Sequence, residues 1–249
     1  MAKLYIGTSG WIYGDWQDIF YPEDLTSKDK LKYFSQFFST TEINYSFYHL
    51  PRPTTYQKWY EQTPADFVFA VKISRFISHI KKLKDIAEAW QTFYQNSLQL
   101  KEKLGPFLLQ LPPSFKYSLE NSSRIKDFLV LVKKTKKGKI RLAIEVRNSS
   151  FQNQQFFRLL KKYNTALVIS DSSHWPKIEE PTLADFVYIR FHGPTFLFAS
   201  SYSQSELKNW AMKIKQWQKN RDVYVYFNND VAGYAIKNAQ TLINLVVKK

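Results

Sequence analysis

Eight short β-rich runs alternate with longer helical patterns from one end of the chain to the other. This order is typical of a parallel sheet with helical crossovers, and about 250 residues is the usual length of a closed α/β barrel. We therefore predict an α/β fold, a single (β/α)8 TIM-type barrel in which residues 1–249 form one domain. The predicted strands are Leu4–Ser9, Thr41–Phe47, Phe67–Ser74, Phe107–Leu111, Ile140–Val146, Ala166–Asp171, Phe186–His192 and Val223–Asn228.

Seven stretches, six between strands and one after the last strand, carry apolar residues at three- and four-residue steps, which predicts amphipathic helices. They lie near 28–38, 53–62, 83–103, 121–134, 152–163, 204–219 and 232–247. The sixth crossover, Ser172–Ala184, contains Pro176 and Pro181 and has too little periodicity for a full helix, so we expect it to be irregular. A doubly wound open sheet is the alternative fold. It is disfavoured because Gly7-Thr8-Ser9-Gly10 is followed by Trp11 and lacks the glycine-rich continuation of a dinucleotide site.

Alternation within the strands predicts which side chains point into the barrel, because residues two apart share one face. In the fifth strand, Ile140, Leu142, Ile144 and Val146 oppose Arg141, Ala143, Glu145 and Arg147. We expect the apolar face to contact the helices and the other face to line the barrel interior. The polar members of the inward face lie mainly toward the carboxyl ends of the strands, where barrel enzymes place catalytic groups.

The composition excludes several classes of site and leaves the partner open. The chain has no cysteine, which excludes disulfides, thiolate nucleophiles and iron–sulfur clusters. A net charge of +15 is compatible with nucleic-acid binding, but its 28 lysines against 8 arginines are scattered in groups such as Lys81, Lys82 and Lys84, as on a solvated surface. No apolar run approaches the ~20 residues of a membrane span, and no signal-peptide pattern precedes Leu4, so we expect a cytoplasmic protein without a membrane partner.

A series of short segments carries a family resemblance over nearly the whole chain. The chain resembles the YecE-like family, also called domain of unknown function 72, which implies a TIM-type barrel but no reaction. It departs from the family pattern at Phe151, where Trp is usual, and at Ser78, where Thr is common; neither change removes an ionisable group. The matching segments are Gly7–Trp11 with Tyr13 and Trp16, Phe20–Pro22, Glu42–Asn44, Phe47-Tyr48, Val71-Lys72 with His79, Gly105-Pro106, Gln110–Phe115, Glu145–Arg147, Tyr188–Arg190, His192-Gly193 and Tyr226–Asp230.

Glu145 is the leading candidate for a general acid or base, because burial and a nearby cation can tune a carboxyl pKa in opposite directions. The alternative is a buried ion pair with Arg147 that only closes the barrel interior. Lys72, Arg190 and His192 would converge as a cationic pocket for a phosphate or carboxylate. A lysine in a barrel strand could also form a Schiff base, but the sequence shows no neighbours that would depress its pKa.

Other polar residues at the strand ends complete the predicted site, each with a structural alternative. Asp171 is a candidate to orient His192 or to bind a hydroxyl group, or it caps a loop. Asp230 is interpreted as the N-cap of the last helix rather than as a catalytic group. The aromatic loop that begins at Trp11 is expected to plug the barrel mouth and form part of the pocket wall. The remaining ligand-binding candidates are Glu42, Asn44, Gln110, Asn228 and Asn229.

Three function hypotheses remain open at this point. The first is an enzyme that acts on a small anionic substrate, such as a phosphorylated sugar or a nucleotide-like molecule. The second is a protein that binds or processes nucleic acid, with metal dependence as one option, although the histidines show no metal-binding spacing and we assign no metal ligand. The third is a non-catalytic ligand-binding barrel. The sequence assigns no cofactor and no oligomeric state.

Overall fold

The computed structural model describes residues 2–135 and 140–247, and nine parallel strands in them form one sheet that curls into a barrel. Within the described residues no helix is long and apolar enough to cross a membrane. Along the sheet the order is β6-β5-β4-β3-β2-β1-β9-β8-β7. The strands are β1 (Leu4–Ser9), β2 (Thr40–Ile43), β3 (Val68–Lys72), β4 (Leu104–Gln110), β5 (Leu142–Glu145), β6 (Ala166–Leu167), β7 (Ile169–Asp171), β8 (Phe186–Phe191) and β9 (Asp222–Phe227).

The two ends of this sheet, β6 and β7, are consecutive pieces of the predicted sixth strand. The Val168 amide between them still donates to the Ile144 carbonyl of β5 at 2.9 Å, whereas Ile169 pairs with Ile189 of β8. The chain therefore leaves one neighbour and joins the other within a single residue. This confirms the predicted α/β barrel with eight strand positions and shows that the sixth position is split.

The inward and outward faces follow the predicted alternation. Outward side chains such as Val71, Ile144 and Ile189 belong to the large core between sheet and helices. Ala70 and Tyr188 belong to a separate, smaller cluster inside the barrel. Toward the amino ends of the strands the inward face is mostly apolar or aromatic, and the Arg141–Asp222 ion pair lies there beside Tyr224. Toward the carboxyl ends this face carries Ser9, Glu42, Lys72, Gln110, Glu145, Ser170 and Arg190.

Helices cover the outside of the barrel at most of the predicted places. As expected, the segment 172–185 contains no helix, so the sixth crossover is irregular. The first helix is shorter than predicted, and the one predicted at 83–103 ends in a 3-10 segment, Leu98–Lys103. The helices are α1 (Lys30–Phe34), α2 (Tyr45–Tyr48), α3 (Pro53–Glu61), α4 (Ala87–Ser97), α5 (Leu119–Lys134), α6 (Gln154–Lys162), α7 (Gln204–Gln218) and α8 (Tyr234–Val247).

The second strand ends earlier than predicted, because the chain turns into α2 after Ile43. The Ser46 hydroxyl lies within 3.0 Å of the Ile43 carbonyl and 2.6 Å from the Lys72 carbonyl, and both oxygens are hydrogen-bond acceptors for it. These contacts fix the turn against the end of β3. The prediction of extended chain to Phe47 was therefore wrong, since a period-two pattern over three residues also fits one helical turn.

The aromatic loop after β1 packs mainly as core. Trp16 and Tyr21 are almost fully buried, and the Tyr21 hydroxyl donates to the Trp11 carbonyl. Trp16 Nε1 donates to the Asp230 carbonyl at 3.1 Å, which ties the loop to the end of β9. Tyr13 is the member that reaches the cavity at the carboxyl end of the barrel. The loop thus closes this end of the barrel and forms one part of the cavity wall.

Candidate functional site

A cavity of about 760 Å³ opens at the carboxyl ends of the strands, within the range of small-molecule sites. Its polar lining comes from two sides of the barrel. The ends of β3, β4 and β5 and the residues after them contribute Lys72, Arg75, His79, Gln110 and Arg147. The segments that follow β1, β2 and β9 contribute Tyr13, Asp15, Asn44, Asn228 and Asp230.

A fully buried ion network lies beneath this cavity, centred on Arg190 of β8. Arg190 Nη1 contacts Glu145 Oε2 at 2.5 Å, and Nη2 contacts Glu42 Oε1 at 2.8 Å. All three side chains have no exposed surface. Ser9 and Tyr188 donate hydroxyl hydrogen bonds to Glu42 at 2.5 and 2.7 Å. One arginine thus bridges two buried carboxylates, and the two hydroxyl donors add hydrogen bonds to Glu42.

Glu145 is held as a carboxylate by its neighbours. Burial alone would raise the pKa of the Glu145 carboxyl, but Arg190, Arg147 and His192 outweigh burial and hold that pKa well below its usual range. Arg147 Nε contacts Glu145 Oε1 at 2.9 Å, so the carboxylate lies beneath the guanidinium. A fully buried carboxylate with a low pKa is a poor proton donor. The predicted acid/base role of Glu145 stays a prediction, and the geometry favours a role in positioning Arg147.

Arg147 forms part of the cavity wall and is fixed from three directions. Besides its contact with Glu145, its Nη2 donates to Gln110 Oε1 at 3.0 Å. Its guanidinium carbon lies 3.6 Å from the centre of the Trp175 ring, in cation–π stacking distance. The guanidinium is therefore preorganised, and a ligand that contacts it does not have to order a flexible side chain.

Lys72 presents an amine to the cavity from the end of β3. Its side chain is only 7% exposed, and its Nζ lies 4.2 Å from the centre of the Phe47 ring. In the described parts of the chain, 2–135 and 140–247, no hydrogen bond or ion pair involves this Nζ. Burial and the nearby Arg190 lower the pKa of Lys72 to about 7, although Glu42 and Glu145 oppose the shift. The sequence did not reveal the two causes that lower the pKa of Lys72 most, which are its burial and the proximity of Arg190.

Asp230 faces the cavity from the segment after β9. It precedes a short 3-10 turn, Val231–Gly233, but makes no side-chain capping bond to it, so the predicted N-cap role is wrong. Asn228 Nδ2 donates to Asp230 Oδ2 at 2.8 Å. Burial raises the pKa of Asp230 to about 7, while hydrogen bonds from Asn228 and Tyr13 act against it. This carboxyl group can therefore give or accept a proton near neutral pH.

Arg75 and His79 also line the cavity, and the predicted site did not include them. Arg75 is exposed beside the mouth of the cavity. Burial and the nearby Lys72 lower the pKa of His79 to about 4, so its imidazole is neutral at pH 7. Its Nδ1 lies 2.9 Å from the Ser78 hydroxyl. Both residues follow the end of β3, and this position could have indicated that they lie near the cavity. Alternation within a strand makes no prediction for residues outside the strand.

Seven predicted residues do not line the cavity: Glu42, Glu145 and Arg190 form the network beneath it, and four others lie elsewhere. Asp171 points to the outside of the barrel, where it pairs with Lys177 at 2.6 Å, because Ser170 occupies the inward position. Trp11 packs in the core against Trp59 and Phe69.

The other two are buried behind the cavity. His192 Nε2 lies 3.6 Å from Glu145 Oε1, longer than a hydrogen bond, and its ring packs edge-on to Trp175 and Phe198. Burial lowers the pKa of His192 to about 4. Asn229 donates to the Ser200 carbonyl and to Asn238 Oδ1 at 2.9 Å, and so anchors the loop after β8 to α8. Across residues 2–135 and 140–247, no group of three histidine or acidic side chains could hold a metal ion.

Comparisons with known proteins agree with the fold and the resemblance. The family model described as "Protein of unknown function DUF72" matches residues 5–249. The chain is 27% identical to UPF0759 protein YunF of Bacillus subtilis, over 98% of this chain and 94% of that protein. It is 24% identical to UPF0759 protein YecE of Escherichia coli, over 96% and 91%. A crystal structure of a DUF72 family protein from Thermotoga maritima, 28% identical, has a TM-score of 0.88 and covers 99% of this chain and 100% of that one.

Proposed function

The chain belongs to the DUF72 family of proteins of unknown function, and from its cavity we propose that it binds a small anionic molecule at the carboxyl end of the barrel. The observation that carries the proposal is the grouping of Lys72, Arg75 and Arg147 on one side of the cavity. Arg147 is already fixed by its contacts, and Lys72 has its amine free of protein acceptors in the described residues. An anion would complete the coordination of both groups.

The opposite side of the cavity suits the uncharged part of such a ligand. Asn44, Asn228 and Tyr13 supply amide and hydroxyl groups there. Asp230 is half protonated near pH 7, so it repels an anion less than an ordinary aspartate would. A compact molecule with an acidic group at one end and hydroxyl groups at the other, such as a sugar phosphate, matches this division. In the proposal, Glu145, Glu42 and Arg190 support the cavity from beneath and do not touch the ligand.

We expect Arg75→Met to weaken binding of ribose 5-phosphate by about tenfold, as measured by isothermal titration calorimetry at pH 7. Loss of one charge-assisted contact costs roughly 1.5 kcal/mol, and 1.4 kcal/mol corresponds to a factor of ten in affinity. Arg75 is exposed, so its replacement should leave the folded state intact.

Arg124→Met is the matched control for this experiment. Arg124 pairs with Glu120 on the surface of α5, outside the cavity. The control variant has the same change in net charge and should bind ribose 5-phosphate like the original protein. Equal losses in the two variants would indicate general charge attraction and would contradict a site at the cavity. Absence of binding to the original protein, for this ligand as well as for inorganic phosphate and pyrophosphate, would argue against the proposal as a whole.

Binding of single-stranded nucleic acid is a second candidate, favoured by exposed aromatic rings beside the cavity. Tyr48 is 71% exposed and Phe76 is 45% exposed. Both rings line an adjoining groove, to which Arg75 and Lys81 also contribute. Exposed rings next to cations are the elements with which proteins stack and hold unpaired bases.

For this second candidate we expect Tyr48→Ala to weaken binding of a fluorescent oligothymidine by about tenfold in anisotropy titrations, because one stacked base contributes roughly 1–3 kcal/mol. The affinity should also fall steeply between roughly 50 and 200 mM salt, as expected when phosphates release counterions. The control is Leu119→Ala, an exposed apolar residue at the start of α5, far along the chain from this groove. Unchanged affinity in Tyr48→Ala would remove the candidate.

A further inference from the structure

We infer that Lys72 is a nucleophile that forms an imine with a carbonyl group of the bound molecule. The inference rests on the proposed function of the cavity and narrows its ligand to anionic aldehydes and ketones. It follows from the position of one amine relative to the cavity, to its neighbours and to a second group that can transfer protons.

Lys72 differs in its contacts from the other buried lysines of the described chain. Lys103 Nζ donates to the carbonyl oxygens of Tyr60 and Thr63 at 2.6 and 2.7 Å. Lys30 Nζ donates to Gln17 Oε1 at 3.0 Å. The Lys72 amine has no such acceptor and faces a cavity large enough for a metabolite. The Lys72 amine is therefore open to a molecule in the cavity, whereas the amines of Lys103 and Lys30 are already occupied by protein acceptors.

The surroundings of Lys72 keep a large fraction of the amine unprotonated at neutral pH. Burial disfavours the ammonium form, and the buried Arg190 adds positive charge nearby, so the pKa of Lys72 falls to about 7. Only the unprotonated amine has the lone pair that attacks a carbonyl carbon. The Lys72 Nζ lies 4.2 Å from the centre of the Phe47 ring, and both residues line the cavity.

The other cavity groups match the needs of imine formation. The amine of Lys72 attacks the carbonyl carbon, so that a carbon–nitrogen bond forms and the carbonyl π bond breaks. The nitrogen then loses a proton and the oxygen gains one, which gives a neutral carbinolamine. A second proton transfer to this hydroxyl releases one water molecule and leaves the carbon–nitrogen double bond, so no oxidant or reductant is required. Asp230 lies on the opposite side of the same cavity and has a pKa of about 7, so it can exchange these protons when the carbonyl oxygen of the bound molecule points toward it. Arg75 and Arg147 hold the anionic group.

The test uses two phosphorylated probes that differ at one carbon. Pyridoxal 5′-phosphate carries an aldehyde, and pyridoxine 5′-phosphate carries a hydroxymethyl group instead. The folded protein is mixed with one equivalent of the aldehyde at pH 7, reduced with sodium borohydride and digested, and the modified lysines are located by mass spectrometry. We expect Lys72 to carry at least tenfold more label than the exposed Lys208. An excess of pyridoxine 5′-phosphate should protect Lys72 but not Lys208.

Lys72→Arg is the matched variant, because it keeps a positive charge and cannot form an imine. It should lose the dominant labelled peptide and leave labelling of Lys208 unchanged, with far-ultraviolet circular dichroism as the check that it folds. Since the labelled position is also read in the original protein, the test does not depend on this variant.

Label spread evenly over surface lysines, or no stable label, would overturn the inference. If the label is spread or absent but calorimetry shows that pyridoxine 5′-phosphate binds, the proposed anion site is still supported and only the imine inference fails. If neither probe bound, and the simpler phosphates also failed to bind, the proposed function would fall with the inference.

Discussion

Replacing Arg190 by methionine should lower the free energy of unfolding by about 3–5 kcal/mol, the typical cost of removing one partner from a buried ion pair. The variant would leave Glu42 and Glu145 charged and without their shared cation, in a region with no exposed surface. Natural proteins have only about 5–15 kcal/mol of stability, so this loss would be a large part of the total. Urea unfolding at pH 7, followed by circular dichroism, measures the change.

Arg141→Met is the control for this prediction. Arg141 pairs with Asp222 at 2.7 Å, but the two side chains are 29% and 20% exposed. Water already solvates part of this pair, so the loss should be within about 1 kcal/mol. A loss of similar size for Arg190→Met would mean that the buried carboxylates acquire protons or water without cost, and would contradict the role given to Arg190.

Lys72→Met should have the opposite effect and stabilise the protein at pH 7. Each pKa unit corresponds to about 1.4 kcal/mol. The fall of the Lys72 pKa from 10.5 to about 7 therefore opposes folding by on the order of 4 kcal/mol at pH 7, and a methionine of similar shape removes this cost. A stabilising replacement at a polar cavity residue is the signature of a side chain kept for binding or chemistry.

The stability of the original protein should also depend on pH in a way that the variant does not share. Between pH 7 and 10.5 the unfolded chain binds a proton at Lys72 that the folded chain has largely released, so stability rises with pH over this window. In Lys72→Met this component of the slope is absent. Urea unfolding of both proteins at pH 7, 8 and 9 compares the slopes.

Lys103→Met tests whether the gain is specific to an unpaired lysine. Lys103 is 4% exposed, nearly the same as Lys72, but its amine donates to acceptors on Tyr60 and Thr63. Its replacement leaves these acceptors unsatisfied and should destabilise the protein by roughly 1–3 kcal/mol. If Lys72→Met were destabilising to the same extent, the Lys72 amine would have partners in solution that the structure does not contain.

The barrel and the composition of its inward face could be predicted because two simple periodicities determine them. Alternation in β3, β4, β5 and β8 predicts that Lys72, Gln110, Glu145 and Arg190 point into the barrel, and the structure has them there. A parallel barrel brings equivalent strand ends to one rim, so convergence of these residues follows from the fold itself.

Some residues at or beyond the ends of the strands were not placed correctly in the same way. Asp171 is an exception that alternation does explain, because Ala166 and Val168 lie in the inner cluster and the same alternation puts Ser170 inward and Asp171 outward. Asp230 has the residue type and the position of an N-cap. In the structure its side chain instead accepts hydrogen bonds from Asn228 and Tyr13 at the cavity, which the sequence does not indicate. The position of Trp11 also depends on tertiary contacts, because its ring packs against Trp59 and Phe69 in the core.

The split at Val168 gives Arg190 a second structural role, in holding the wall of the barrel together. Backbone pairing runs from β5 to β6 on one side of the split and from β7 to β8 on the other, so the wall of the barrel has a seam there. The contact between Glu145 at the end of β5 and Arg190 of β8 spans this seam with side chains. The barrel is thus closed by a side-chain ion pair at the place where the backbone pairing changes from one neighbouring strand to the other.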